Sequence, residues 1–197
     1  MATPGAGVVL PAGSFSVDGG AKALLGAAGR ALLDGVCGAL TKAGVAPILV
    51  VLPHDAPEVA EALPKECMPV PNPTPELGEA SSLALGLEAA LQIGKSWALV
   101  ALVDQPAVAA GTTRLIADRA AEEPGAVHVP TYNGERGHPS AVPTALAPSL
   151  FEAHEGEGSR EVFSRLGILV REHPVDDPRI VSHVDSAGEV RRSRSRK

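Results

Sequence analysis

Trp97-Ala98-Leu99-Val100-Ala101-Leu102-Val103-Asp104-Gln105-Pro106 is the stretch that decides the fold. Its first seven residues are apolar without a break. Such a short unbroken run reads as a β-strand covered on both faces, the environment of a strand inside a parallel sheet. A carboxylate and a proline end it, so the chain leaves the sheet at Asp104 with little freedom.

Working outward, the same alternation of short β-rich runs and helical periods recurs on both sides. Upstream, residues 7–10, 47–52 and 67–70 read as strands. Helices are predicted near 31–43, with Leu32, Leu33, Val36 and Leu40 on one side and a stop at Gly44, and more weakly over 57–63. A Pro-rich loop spans 69–75. Ser81 or a neighbour is the expected cap of a helix that carries Leu83, Leu87, Ala90 and Leu91 to about residue 93. Downstream, 112–122 and 159–166 read as helices and 126–129 and 168–172 as strands, with a polar loop over 132–138 and room for a strand after it. The order predicts an α/β fold: a single-domain, three-layer αβα unit with a mostly parallel twisted sheet over residues 1–190. Residues 191–197 form a separate basic tail.

Composition narrows the function classes. The 197 residues include 32 alanines but only five aromatics, Phe15, Trp97, Tyr132, Phe151 and Phe163. An aliphatic core follows, and a stacking platform for single-stranded nucleic acid does not. All 23 acidic residues but only 12 of the 17 basic ones lie in 1–190, so that stretch carries −11 and the last seven residues add +5. The acidic body excludes a broad nucleic-acid face, while the tail fits a solvated terminus or a contact with RNA, anionic lipid or a protein partner. Cys37 and Cys67 make no CxxC and read as buried free thiols of a reducing compartment. No export signal or membrane span is read, and the expected location is the cytoplasm.

Three features sit at expected strand ends, where an open α/β sheet binds ligands. The loop Leu10-Pro11-Ala12-Gly13-Ser14-Phe15-Ser16-Val17-Asp18-Gly19-Gly20-Ala21-Lys22 has the glycines of an anion nest and a cation at its far end, though neither the GxGxxG nor the GxxxxGK[ST] spacing. It reads equally as a plain turn. Asp104 is a candidate Mg²⁺ ligand or a helix-capping aspartate. Gly137-His138-Pro139, preceded by Arg136, is a candidate ligand loop or an ordinary loop with a satisfied histidine. HExxH, GxSxG and clustered Cys/His sets are absent, which removes support for zinc and α/β-hydrolase chemistry. Ser159 reads as a helix cap rather than a nucleophile.

Taken together and in order, these motifs resemble the nucleotidyltransferases of molybdenum-cofactor synthesis, the molybdopterin cytidylyltransferase and guanylyltransferase family. Ala12, Gly13, Gly19 and Lys22, then Leu24-Leu25, match its signature loop. Asn72, Pro73, Gly78, Ser81, Ser82, Leu83, Gly86 and Leu87 match its next pattern. Val103-Asp104-Gln105-Pro106, Arg136-Gly137-His138-Pro139, Gly156-Glu157-Gly158-Ser159-Arg160 and Val175-Asp176-Asp177-Pro178 follow in register. The resemblance implies a Rossmann-like fold of the nucleotide-diphospho-sugar-transferase type. It also implies transfer of a nucleoside monophosphate from a triphosphate to a phosphorylated, molybdopterin-like acceptor with release of pyrophosphate. It assigns catalysis to Lys22 and Asp104, and Mg²⁺ or Mn²⁺ to Asp104 and Asp185. Nucleotide binding falls to Leu10, Ala12, Gly13, Asn72, Gly78, Ser81 and Ser82, and acceptor binding to Arg136 and His138. A molybdoenzyme or another protein is an implied partner.

The chain departs from the family pattern at Phe15, at Val17 in place of a phosphate-binding arginine, and at Asp18. It departs again at His183-Val184-Asp185, which keeps only the second aspartate of a pair. These departures carry the alternative reading, a catalytically impaired relative that binds a nucleotide or a protein. An unrelated α/β binding or redox protein is the third.

Overall fold

The computed structural model describes residues 5–11, 24–154 and 156–183. β4 (Trp97–Leu102) lies inside an eight-stranded sheet. It pairs in parallel with β1 (Gly5–Leu10), which pairs with β2 (Ile48–Pro53), which pairs with β3 (Cys67–Asn72) at the edge. On its other side β4 meets β7 (Ser140–Pro143) running antiparallel. Beyond β7 lies β5 (Val127–Tyr132), which takes β8 (Val170–Pro174) in parallel and the two-residue β6 (Glu135–Arg136) as a hairpin partner. The sheet is thus parallel apart from β7 and β6, as the alternating pattern predicts.

Helices cover both faces. On one, α1 (Ala27–Lys42) and α4 (Ala110–Glu122) bury Leu33, Leu40 and Ile116 against Val9, Val50 and Leu99. On the other, α3 (Glu79–Gln92), α5 (Ala147–Phe151) and α6 (Ser159–Arg165) bury Leu83, Leu87, Leu150 and Val162 against Val8, Leu10 and Val100. Neighbours such as Val8 and Val9 go to opposite clusters because strand side chains alternate between faces. Each buried Leu or Val contributes about 1.5–3 kcal/mol of transfer free energy. The short α2 (Pro57–Glu61) starts on a proline, which suits a first helical turn.

Four local expectations are corrected. β3 runs on through Pro69 and Pro71, which the Pro-rich reading gives to a loop; an edge strand tolerates residues without an N–H because one of its sides pairs with nothing. α1 begins at Ala27, and its final turn closes at Ala43 with Gly44 beyond it at φ 79°. Ser81 caps nothing: Gly78 precedes α3 at φ 90° and ψ −162°, a conformation L side chains avoid, so the glycine sets the entry to the helix. Ser159 likewise lies inside α6, whose cap position is Gly158.

Candidate active site

The carboxyl ends of β1, β3 and β4 open on one edge of the sheet. β1 is flanked by β2 on one side and β4 on the other, so the chain reverses direction across the sheet at this pair, the place where α/β folds leave a crevice. The Val103 N–H donates to the Leu10 carbonyl at 3.1 Å, which ties the two strand ends together. Leu10 itself is 2% exposed; its side chain is core and its carbonyl is engaged.

Asp104 follows two residues after β4 and is buried. Its Oδ2 lies 2.9 Å from Nδ1 of His183, while its Oδ1 is buried and has no hydrogen-bond partner among the described residues. An ionised carboxylate oxygen taken out of water without a donor is costly, so this atom is an acceptor waiting for a positive partner. A divalent cation, which takes one or two carboxylates and leaves the remaining positions to water and phosphate oxygens, suits it. Among the described residues no group of three or more His, Cys, Asp or Glu converges to enclose a metal.

At the end of β3, Asn72 is 1% exposed and donates from Nδ2 to Ser82 Oγ at 3.0 Å. Ser82 donates to the Gly78 carbonyl at 3.2 Å, and Asn72 Oδ1 accepts from the Thr74 N–H at 2.9 Å. Asn72, Gly78 and Ser82 therefore form one hydrogen-bonded corner that sets α3 against the sheet. Ser81, half-buried, sits next to it on the helix.

Arg136 and His138 come together on a cleft of about 650 Å³, whose other lining residues include Leu102, Val129, Arg160 and Phe163. Leu102, the last residue of β4, brings the cleft to within two residues of Asp104 along the chain, though Asp104 itself does not line it. Arg136 is exposed and pairs with Glu172 at 2.7 Å, and its carbonyl accepts from Arg160 at 3.2 Å. His138 is half-buried, and burial together with the positive charges of Arg160 and His183 holds its pKa down to about 4. It is a neutral imidazole at neutral pH. The backbone N–H of His138 donates to the Ile180 carbonyl at 3.0 Å, and the same carbonyl accepts from Gln105 Nε2 at 3.2 Å.

Ile180 stands on a 3-10 turn, Pro178–Val181, that Asp177 fastens to the body of the fold. The Asp177 carboxylate accepts from the Ala109 N–H at 2.9 Å and from Thr112 Oγ1 at 3.0 Å at the start of α4, and pairs with Arg179. Asp177 and Gln105, and the orienting contact of His183 with Asp104, are what motif reading misses. The motifs Val175-Asp176-Asp177-Pro178 and Val103-Asp104-Gln105-Pro106 contain the first two without giving their roles. The expected site residues Ala12, Gly13, Lys22 and Asp185, and the departures Phe15, Val17 and Asp18, lie outside the described residues.

No curated protein matches the chain. Among solved structures it is similar to a nucleotidyl transferase of Methanothermobacter, 26% identical over 97% of this chain and 96% of that one, with a TM-score of 0.74. It is also similar to Rv0371c of Mycobacterium tuberculosis, 25% identical over 95% and 96% of the two chains at a TM-score of 0.69; a manganese complex of that protein has been solved. A CMP-2-keto-3-deoxy-manno-octonic acid synthetase complexed with CTP shares the fold at 15% identity, with 96% and 97% of the two chains covered and a TM-score of 0.68. Residues 7–171 match the MobA-like NTP transferase domain, and since that span covers most of the sequence, the chain belongs to this family of nucleotidyltransferases.

Proposed function

We propose that the protein transfers a nucleoside monophosphate from a nucleoside triphosphate to a small phosphorylated acceptor of the molybdopterin type. A phosphate oxygen of the acceptor attacks the α-phosphorus in line. The bond from the α-phosphorus to the bridging oxygen breaks, and its electron pair leaves with pyrophosphate. The attacking oxygen is already anionic, so the reaction needs no general base, and positioning with charge neutralisation carries the rate.

The observation that carries this reading is the buried, unpartnered Oδ1 of Asp104 at the strand-order switch, next to the cleft bearing Arg136 and His138. Asp104, joined by Asp185, holds Mg²⁺ or Mn²⁺, and the cation supplies neutralisation of phosphate charge. Lys22 neutralises the leaving phosphates. Ala12 and Gly13, which follow the strand end at Leu10, present backbone to the nucleotide, and the corner formed by Asn72, Gly78 and Ser82, with Ser81 beside it, borders it. Arg136 and His138 face the acceptor, His138 as a neutral hydrogen-bonding group. Support for a metal and a nucleotide as ligands comes from the similar proteins solved with manganese and with CTP.

A second reading rests on Val17 and Asp18. Losing a preorganised cation at the transition state costs about 3–4 kcal/mol, or roughly 10²–10³ in rate. The impaired relative would bind without turning over, and Val17→Arg with Asp18→Met would then raise triphosphate affinity.

The test of the main reading is a thermal-shift series with CTP, GTP, ATP and UTP, each with and without Mg²⁺ or Mn²⁺. A ligand that binds only the native state raises its stability. One or more triphosphates should raise the melting temperature in the presence of metal, and Asp104→Ala should abolish the shift. No shift with any of the four contradicts the reading.

A further inference from the structure

We infer that His183 is a positioning residue which fixes the carboxylate of Asp104 so that a single oxygen, Oδ1, is presented to a cation. The inference rests on the proposed reading of Asp104 as the metal-holding group.

The Ile180 carbonyl only accepts, so the Gln105 atom facing it at 3.2 Å is the amide nitrogen, a donor. That nitrogen also lies 3.5 Å from Nε2 of His183, at the outer limit of a hydrogen bond. Facing a donor, Nε2 is the unprotonated side of the ring, and the imidazole proton sits on Nδ1. Nδ1 then donates to Asp104 Oδ2 at 2.9 Å. The chain Gln105–His183–Asp104 thus occupies one carboxylate oxygen, and among the described residues the other is buried without a partner.

This arrangement separates His183 from two other roles. As a general base it would turn Nε2 towards substrate, but Nε2 faces Gln105. As a direct metal ligand through Nδ1 it would have to give up the proton that holds Asp104. Outer-shell donors of this kind orient a ligating carboxylate, and removing them costs about 10–100-fold in metal affinity. The side chain of His183 is 48% exposed, so its replacement leaves the core intact.

The test is Mn²⁺ affinity, measured on the full chain by the electron paramagnetic resonance signal of free Mn²⁺, with melting temperatures taken in parallel. Asp104→Ala should abolish tight binding. His183→Ala should weaken it about 10–100-fold with little change in melting temperature. His183→Asn, whose amide N–H stands close to where Nδ1–H does, should restore affinity to within a few-fold of the parent. Equal affinity in His183→Ala and the parent overturns the positioning role while leaving Asp104 as the metal residue. Nitrogen hyperfine coupling on bound Mn²⁺ that vanishes in His183→Ala also overturns it, because His183 would then be a ligand. Unchanged affinity in Asp104→Ala overturns both this inference and the reading it rests on.

Discussion

Asp177 accepts a hydrogen bond from the Ala109 N–H at 2.9 Å, across 68 residues of sequence, and so couples the start of α4 to the turn that carries Ile180 towards the site. Burial alone would raise the pKa of this carboxyl. The bonds from Arg179, Ala109 and Thr112 outweigh it and hold the pKa below the ordinary aspartate value. A depressed carboxylate stabilises the fold above its unfolded pKa and loses that contribution as pH falls through the folded one. Asp177→Ala should therefore cost about 2–3 kcal/mol at neutral pH, since it strands the Ala109 and Thr112 donors. The difference from the parent should shrink below about pH 3.8, where the unfolded aspartate itself protonates. Urea unfolding at pH 7 and pH 3 measures both.

Gly137 lies against the same turn. A Cβ there would stand 2.3 Å from the Ile180 carbonyl oxygen, a backbone atom with no rotamer to yield. Gly137→Ala should push the turn away from the loop and lower stability by about 1–3 kcal/mol, the usual range for overpacking. Because Ile180 also anchors His138 and Gln105, the His138 ring resonances should shift in the variant. An unchanged NMR spectrum at His138 would show that the turn does not hold the site.

His138 should titrate near pH 4 in the native protein, well below the ordinary histidine value. Its contribution to stability is then full above the unfolded pKa of about 6.5 and is lost as pH falls from there towards the folded value. Arg160→Met, which removes one of the positive charges that depress it, should move the titration upward. Nitrogen-15 correlation spectra of the histidine rings across pH 3–8 resolve both. The same displacement means that His138 adds no inflection to an activity profile above about pH 5.

Cys37 on α1 and Cys67 on β3, 30 positions apart in sequence, hold their sulfur atoms 3.3 Å apart. Both are buried free thiols, as the isolated spacing of the two cysteines predicts. Contact with Cys67 and burial push the Cys37 thiol up, while the same contact brings Cys67 down, so Cys67 is the more readily deprotonated sulfur and the burial of both slows their oxidation. Excess oxidised glutathione should convert the two thiols to one intramolecular disulfide and release two molecules of reduced glutathione. A closed loop of this length predicts a gain of about 3–4 kcal/mol against unfolding. Intact mass and denaturant midpoints before and after treatment measure it, and Cys67→Ser should show neither change.

The fold was legible where a single physical cause governs the sequence. The apolar run from Trp97 to Val103 is unbroken because both faces of β4 are covered, and the spacing of Leu83, Leu87 and Ala90 follows from the one face that α3 turns to the sheet. Legibility failed where position in the fold overrides local preference. Pro69 and Pro71 look like a loop until β3 is known to be an edge strand. Ser81 looks like a cap because it is a serine before a helical period, yet Gly78 supplies a backbone angle that no serine supplies. Asp104 stood out in the sequence by following the central strand. His183 stood out only as a departure from a motif, since its hydrogen bond to Asp104 spans 79 residues. Leu10 carries a site assignment by motif register, but its side chain serves the core.

The most direct measurement is metal-dependent release of pyrophosphate. The protein is incubated with each of the four triphosphates, Mg²⁺ or Mn²⁺, and a set of phosphorylated acceptors including molybdopterin, beside Asp104→Ala and a protein-free control. The account predicts pyrophosphate above the control with at least one triphosphate and acceptor, stopped by chelation of the metal and absent in Asp104→Ala. Release no greater than the control for every combination, or equal release by Asp104→Ala, would contradict it.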